Sequence, residues 1–180
     1  NSKFEMLVYH KPCGEIVTLK DNANRKTVFE SLPSVSGKWI NIGRLDLDTS
    51  GLLLFTNNGD IANKMMHPSS NISRTYEVLL KGSFTDIKKN KCLNGLDIGM
   101  SETGKFDSVE KCNTTANKYI ITLKTGKNRE VRRVFLTVNC TVINLKRIQY
   151  DNIKLDNLIV GEHRYLNEEE IKSLSMYLEK

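Results

Sequence analysis

The chain has 180 residues, 39% of them hydrophobic, with 27 Lys and Arg against 21 Asp and Glu and a net charge of +6. That length supports one domain with a proper core, or one sheet split into two lobes. No apolar run approaches the roughly 20 residues of a membrane-spanning helix. The positive balance suits a polyanionic partner such as nucleic acid. Four scattered cysteines, Cys13, Cys92, Cys112 and Cys140, form no Cys-x-x-Cys pair. With three scattered histidines they offer no zinc-ligand spacing, and reduced thiols are expected. Neither a metal nor a cofactor is expected. No signal or transit peptide is visible, so the expected location is cytoplasmic, or an organellar matrix if a transit peptide was removed.

In chain order, Met6 to His10 reads as a strand ended by the turn Lys11-Pro12-Cys13-Gly14. Lys20 to Lys26 is a polar loop, and Thr27 to Pro33 a short helix capped by Thr27. Trp39 to Ile42 is a short strand. Gly43 to Gly59 then sets polar, turn-prone residues before an apolar run that ends in Asn-Asn-Gly, the pattern of a loop leading into a buried strand. Asp60 to Met66 has helical spacing and stops before Pro68. Arg74 to Leu80 reads as a strand, Phe84 to Leu93 as a Lys-rich helix, and Gly95 to Cys112 as two short strands around a turn at Gly104.

The β-branched residues of Tyr119 to Leu123 make a strand, followed by the turn Thr125 to Asn128 and a helix from Arg129 to Val138. Val142 to Tyr150 alternates as a long strand. The tail from Asn167 to Lys180 opens with an Asn cap and three Glu residues that suit a helix N-terminus. The expected architecture is α+β, a mixed and largely antiparallel sheet with helices packed on it.

The block Gly43-Arg44-Leu45-Asp46-Leu47-Asp48-Thr49-Ser50-Gly51, continuing to Thr56-Asn57-Asn58-Gly59, carries the functional signal. An Asp-x-Asp alone is an ordinary turn element. The whole block resembles the signature motif of bacterial ribosomal-RNA pseudouridine synthases of the RsuA/RluB type, with Asp46 at the position of the catalytic aspartate. The similarity runs from about Leu7 to about Leu174. It implies the pseudouridine synthase fold, in two lobes with a central active-site cleft and one catalytic domain over residues 1–180. Many relatives also carry a small N-terminal S4-type RNA-binding domain, and none is expected within these 180 residues.

The resemblance further implies that Tyr76 stacks on an extruded uracil and that the Arg132 guanidinium pairs with Asp46. Arg44 matches a residue that contacts RNA around the flipped base. Lys11 belongs to a family Lys-Pro element, structural in character and within reach of a phosphate. Lys127, Arg129 and Arg133 are read as phosphate contacts. Four basic residues at a helix start are disfavoured by the helix dipole unless an anion binds there. Asp48 is read as ordering the loop. No catalysis is assigned to His10, His67 or His163.

Pseudouridine formation breaks an N-glycosidic bond, turns the uracil and rejoins it through C5. One carboxylate near the anomeric carbon suffices. The expected activity is isomerisation of a uridine in ribosomal RNA, with several segments most like the large-subunit branch, by a monomer. The alternatives are a small-subunit enzyme, a non-catalytic RNA-binding or ribosome-assembly protein, and a glycoside or nucleoside hydrolase using Asp46 and Asp48.

Overall fold

The computed structural model of the chain describes residues 3–178. In chain order the elements are β1 (Met6–Lys11), β2 (Ile40–Ile42), β3 (Ser50–Thr56), α1 (Gly59–Met66), β4 (Arg74–Lys81) and α2 (Asp86–Asn94). Then come β5 (Leu96–Asp97), β6 (Thr103–Gly104), β7 (Ser108–Lys111), β8 (Lys118–Leu123), α3 (Glu130–Thr137) and β9 (Thr141–Tyr150). Last are β10 (Ile153–Lys154), β11 (His163–Tyr165), α4 (Glu168–Ser173) and α5 (Ser175–Leu178). The fold is α+β, and the strand pairs within each unit are antiparallel. The chain divides into two compact units, residues 1–71 with 148–180, and residues 72–147.

In the first unit β1 pairs with β11 on one side and β3 on the other, and β2 pairs with β3. All six residues of β1 are buried, and six of the seven in β3. Such strands need an apolar layer on both faces, which is why Met6 to Tyr9 and Leu52 to Phe55 read as hydrophobic runs. One cover is α1, which turns Ile61, Ala62 and Met65 inward. Its start is sharp because the Asn58 side chain accepts from the N–H groups of Asp60 (3.0 Å) and Ile61 (3.1 Å). The expected helix after Thr27 is a single 3-10 turn, Val28–Ser31, with the Glu30 carboxylate accepting the Thr27 N–H at 2.8 Å.

In the second unit β8 lies between β4 and β7, in register Tyr76↔Ile121↔Val109. One face of this sheet packs with α2 and α3 around Val78, Ile121, Leu123, Val134 and Phe135. The expected helix from Phe84 begins two residues later, with Thr85 as its cap. Phe84 instead turns into the core, edge-on to Tyr119 and Phe135 at ring distances of 4.9 and 5.4 Å. Burying that ring outweighs two more residues of helix.

The expected turn at Gly104 is also displaced. Gly104 is a strand residue of β6 pressed against α3, where a Cβ would lie 2.4 Å from Val134. The turn occupies residues 99–102, with Gly99, Met100 and Ser101 all at positive φ. At the C-terminus the expected single helix is two, α4 and α5, separated at Leu174. The last residues of that expectation, 179 and 180, lie outside the described ones.

Candidate active site

The loop that carries Asp46 leaves β2 through Gly43, whose φ of +77° is open to glycine and costly for most other residues. Leu45 is buried and anchors the chain, Asp46 is half-buried, and Leu47 and Asp48 are exposed. Every carbonyl from Asp46 to Thr49 has a donor. The Asp46 carbonyl accepts the Thr49 N–H at 3.0 Å and closes a turn. The Leu47 carbonyl accepts the Gly14 N–H at 2.8 Å, and the Cys13 thiol donates to the Asp48 carbonyl at 3.5 Å. The Lys11 ammonium takes the carbonyls of Thr49 (2.8 Å), Pro12 (2.8 Å) and Leu47 (3.5 Å). A loop with these four carbonyls engaged holds its side chains to few positions, which is what a catalytic carboxylate requires.

Lys11 therefore does not match the phosphate contact expected of it. Its residue is 0% exposed. Burial holds its ammonium below the ordinary lysine value, and the neighbouring Cys13, Glu15, Asp48 and Asp46 pull the other way. Glu15 plays a similar part nearby. It is buried, accepts the hydroxyl of the buried Tyr9, and pairs with Lys26 at 3.4 Å. Arg44 is exposed, at the start of the loop.

In the second unit Tyr76 sits in β4, half-buried, on the face that carries Val78 and Leu80 and packed against the core. Arg74 donates to the carbonyls of Ile72 (2.9 Å) and Lys124 (3.0 Å), and Gly126 lies close against its guanidinium. This fixes the turn before α3. Glu130, 3% exposed, folds back at the helix start to accept the Thr125 hydroxyl (2.7 Å) and the Lys127 N–H (3.0 Å). The anion that the basic cluster demanded is thus the chain's own Glu130, placed where the helix dipole favours it.

The four basic residues separate. Arg133 is engaged within the protein: its guanidinium donates to the carbonyls of Ile98 (3.1 Å), Gly99 (2.9 Å) and Asn128 (3.0 Å) and to Glu102 (2.9 Å). The expected phosphate contact at Arg133 gives way to this internal role. Lys127 donates to the Thr103 carbonyl at 2.5 Å and stays half-exposed. Arg129 is exposed and opens α3 in the left-handed region at φ +51°. Arg132 is half-buried on α3.

Among the described residues no group of three or more His, Cys, Asp or Glu side chains could hold a metal ion, and no helix is long and apolar enough to cross a membrane.

Three comparisons bear on this arrangement. The family model described as RNA pseudouridylate synthase matches residues 5–137. The Ribosomal large subunit pseudouridine synthase B of Vibrio vulnificus is 43% identical over 156 residues, covering 84% of this chain and 48% of that protein. The protein of the same name from Buchnera aphidicola is 40% identical over 178 residues, covering 96% and 71%. The chain spans about half the length, or less, of most of the curated relatives it matches. A solved structure described as a pseudouridylate synthase superposes with a TM-score of 0.86 at 25% identity, covering 97% of this chain and 75% of that one. With the family model spanning most of the chain and such relatives beside it, the chain belongs to the RNA pseudouridylate synthase family.

Proposed function

We propose that the protein converts a uridine of large-subunit ribosomal RNA to pseudouridine, with Asp46 as the catalytic carboxylate. The observation that carries this reading is the Asp46 loop, whose four carbonyls are all held by hydrogen bonds while the aspartate itself stays half-buried. The names of the curated relatives support the substrate. Their bacterial origin supports a cytoplasmic location.

In this reading the C1′–N1 bond of the target nucleotide breaks, the uracil turns, a C1′–C5 bond forms, the C5 hydrogen leaves as a proton to water, and the freed N1 takes up a proton from water. Asp46 meets the charge that develops at the anomeric carbon. Extruding the base costs about a few kcal/mol, and stacking on Tyr76 returns about 1–3 kcal/mol. Arg132 serves as the cationic partner that orients the Asp46 carboxylate. Arg44, Lys127 and Arg129 meet the RNA backbone. The protein acts as a monomer and without a metal.

Large-subunit ribosomal RNA carrying tritium at uridine C5 tests the proposal. Isomerisation releases tritium to water and yields pseudouridine on nuclease digestion. A binding or assembly protein releases none, and a hydrolase yields free uracil. Either of those results would replace the reading.

A further inference from the structure

Residues 96–104 form a two-stranded hairpin apart from the main sheet pairing, Leu96 opposite Gly104 and Asp97 opposite Thr103. Its tip is built in an uncommon way. Met100 (φ +57°) and Ser101 (φ +59°) both occupy the left-handed region that side-chain-bearing residues avoid, and Gly99 precedes them at φ +85°. Met100 is 81% exposed, so the apolar side chain held in this unfavourable backbone buries almost nothing of itself.

The tip is nonetheless rigidly supported. The Arg133 side chain, 17% exposed, grips it through the Ile98 and Gly99 carbonyls and the Glu102 carboxylate. The Asp97 carboxylate accepts the Gly99 N–H at 2.9 Å, and Gly104 lets the hairpin lie directly on Val134. The same guanidinium donates to the Asn128 carbonyl. One side chain therefore ties the Met100 tip to the Lys127–Arg129 turn. Lys127 reaches the hairpin itself at Thr103, and Arg129 and Lys105 are exposed. The hairpin's two carboxylates are engaged inside it, by Gly99 N–H and Arg133, and Lys105, Lys127 and Arg129 lie beside it in sequence or contact, the Lys127 ammonium also 3.9 Å from Glu130.

We propose that this hairpin tip is an RNA-docking element, with Met100 packing as an apolar wedge on a nucleobase while Lys127 and Arg129 hold the adjoining phosphates. The choice of RNA as partner rests on the function proposed above. Apolar side chains inserted beside cations are one means by which proteins grip unstacked bases, and a flexible thioether packs well on an aromatic face. Arg133 is then a positioning residue for the docking element.

Met100→Gly tests this without endangering the fold, because glycine suits the left-handed backbone better than methionine does. Its melting temperature should equal or exceed that of the parent. Its affinity for transcribed large-subunit ribosomal RNA, measured by filter binding, should fall about tenfold. Met100→Leu, which keeps an apolar side chain, should bind within about threefold of the parent, given that such swaps conserve apolar volume. In oxidative footprinting read by mass spectrometry, saturating RNA should protect Met100 and leave Met176, itself 69% exposed, unprotected. Unchanged affinity of Met100→Gly, or equal oxidation of Met100 with and without RNA, overturns the proposal. Tritium release by the parent protein is scored separately, so failure of the docking element and failure of the isomerase reading are distinct results.

Discussion

The Lys11 ammonium lies 2.8 Å from the carbonyl of Thr49, three residues beyond Asp46, with none of its surface open to solvent. A charge buried at that cost is spent on the geometry of the loop and not on a ligand. Lys11→Met should cost about 2–3 kcal/mol of stability, because the carbonyls it serves lose their donor. Turnover should fall at least about tenfold while the salt dependence of RNA binding stays the same. A phosphate contact would instead reduce the salt slope by about one. Urea melts, single-turnover rates and binding at several salt concentrations separate the two roles.

Asp46 and Asp48 differ in setting, one half-buried and the other exposed. Asp46→Asn should abolish tritium release while RNA affinity and melting temperature change little, since the amide keeps the shape and loses the charge. Asp48→Asn should retain measurable activity, because its carbonyl, which the substitution leaves intact, takes the Cys13 thiol. Equal loss at both positions would restore a paired-carboxylate mechanism.

Arg132 and Arg133 are neighbours with opposite expected failures. Arg133→Ala removes a guanidinium that holds Ile98, Gly99, Glu102 and Asn128, and should destabilise the protein by about 2–3 kcal/mol. Arg132→Ala should leave the melting temperature within a few degrees of the parent and collapse the chemical step at saturating RNA. Calorimetry with single-turnover assays on both variants checks the division. Matching profiles would mean that the α3 register has been misassigned.

At the C-terminal end Arg164 grips both oxygens of Glu170, at 2.7 and 2.9 Å, and Glu170 also accepts the Asn167 N–H. Burial pushes the Glu170 carboxyl up, but these hydrogen bonds and the Arg164 charge outweigh it and hold the group below its ordinary value of 4.5. A carboxylate with a lowered folded pKa contributes stability that is fully present above the unfolded value and is lost as pH falls through the folded one. Glu170→Gln should therefore cost about 1–2 kcal/mol at neutral pH. The gap to the parent should close as the pH drops below 4.5. Denaturant melts of both proteins across that range test the sign.

Much of the architecture was legible because it depends on neighbours in sequence. The apolar run of β3, the β-branched residues of β8 and the spacing of α1 specify their own conformations, and the Asp46 block carries its family resemblance as one continuous stretch. The short strands β10 and β11 carry no such pattern. At two or three residues they are strands because β9 and β1 supply their hydrogen bonds.

The division of labour among the cations was decided by tertiary structure alone. Lys11 meets Thr49 across 38 positions, and Arg133 meets Ile98 across 35. A charged side chain in a sequence is equally suited to a phosphate or to a backbone carbonyl. Packing decides which, because it removes water from one side chain and leaves it on another. A cation stripped of water must find acceptors inside the protein. Gly104 shows the same principle with sterics in place of charge. It reads as a turn residue, and the approach of Val134 makes it the point where a hairpin can lie against a helix.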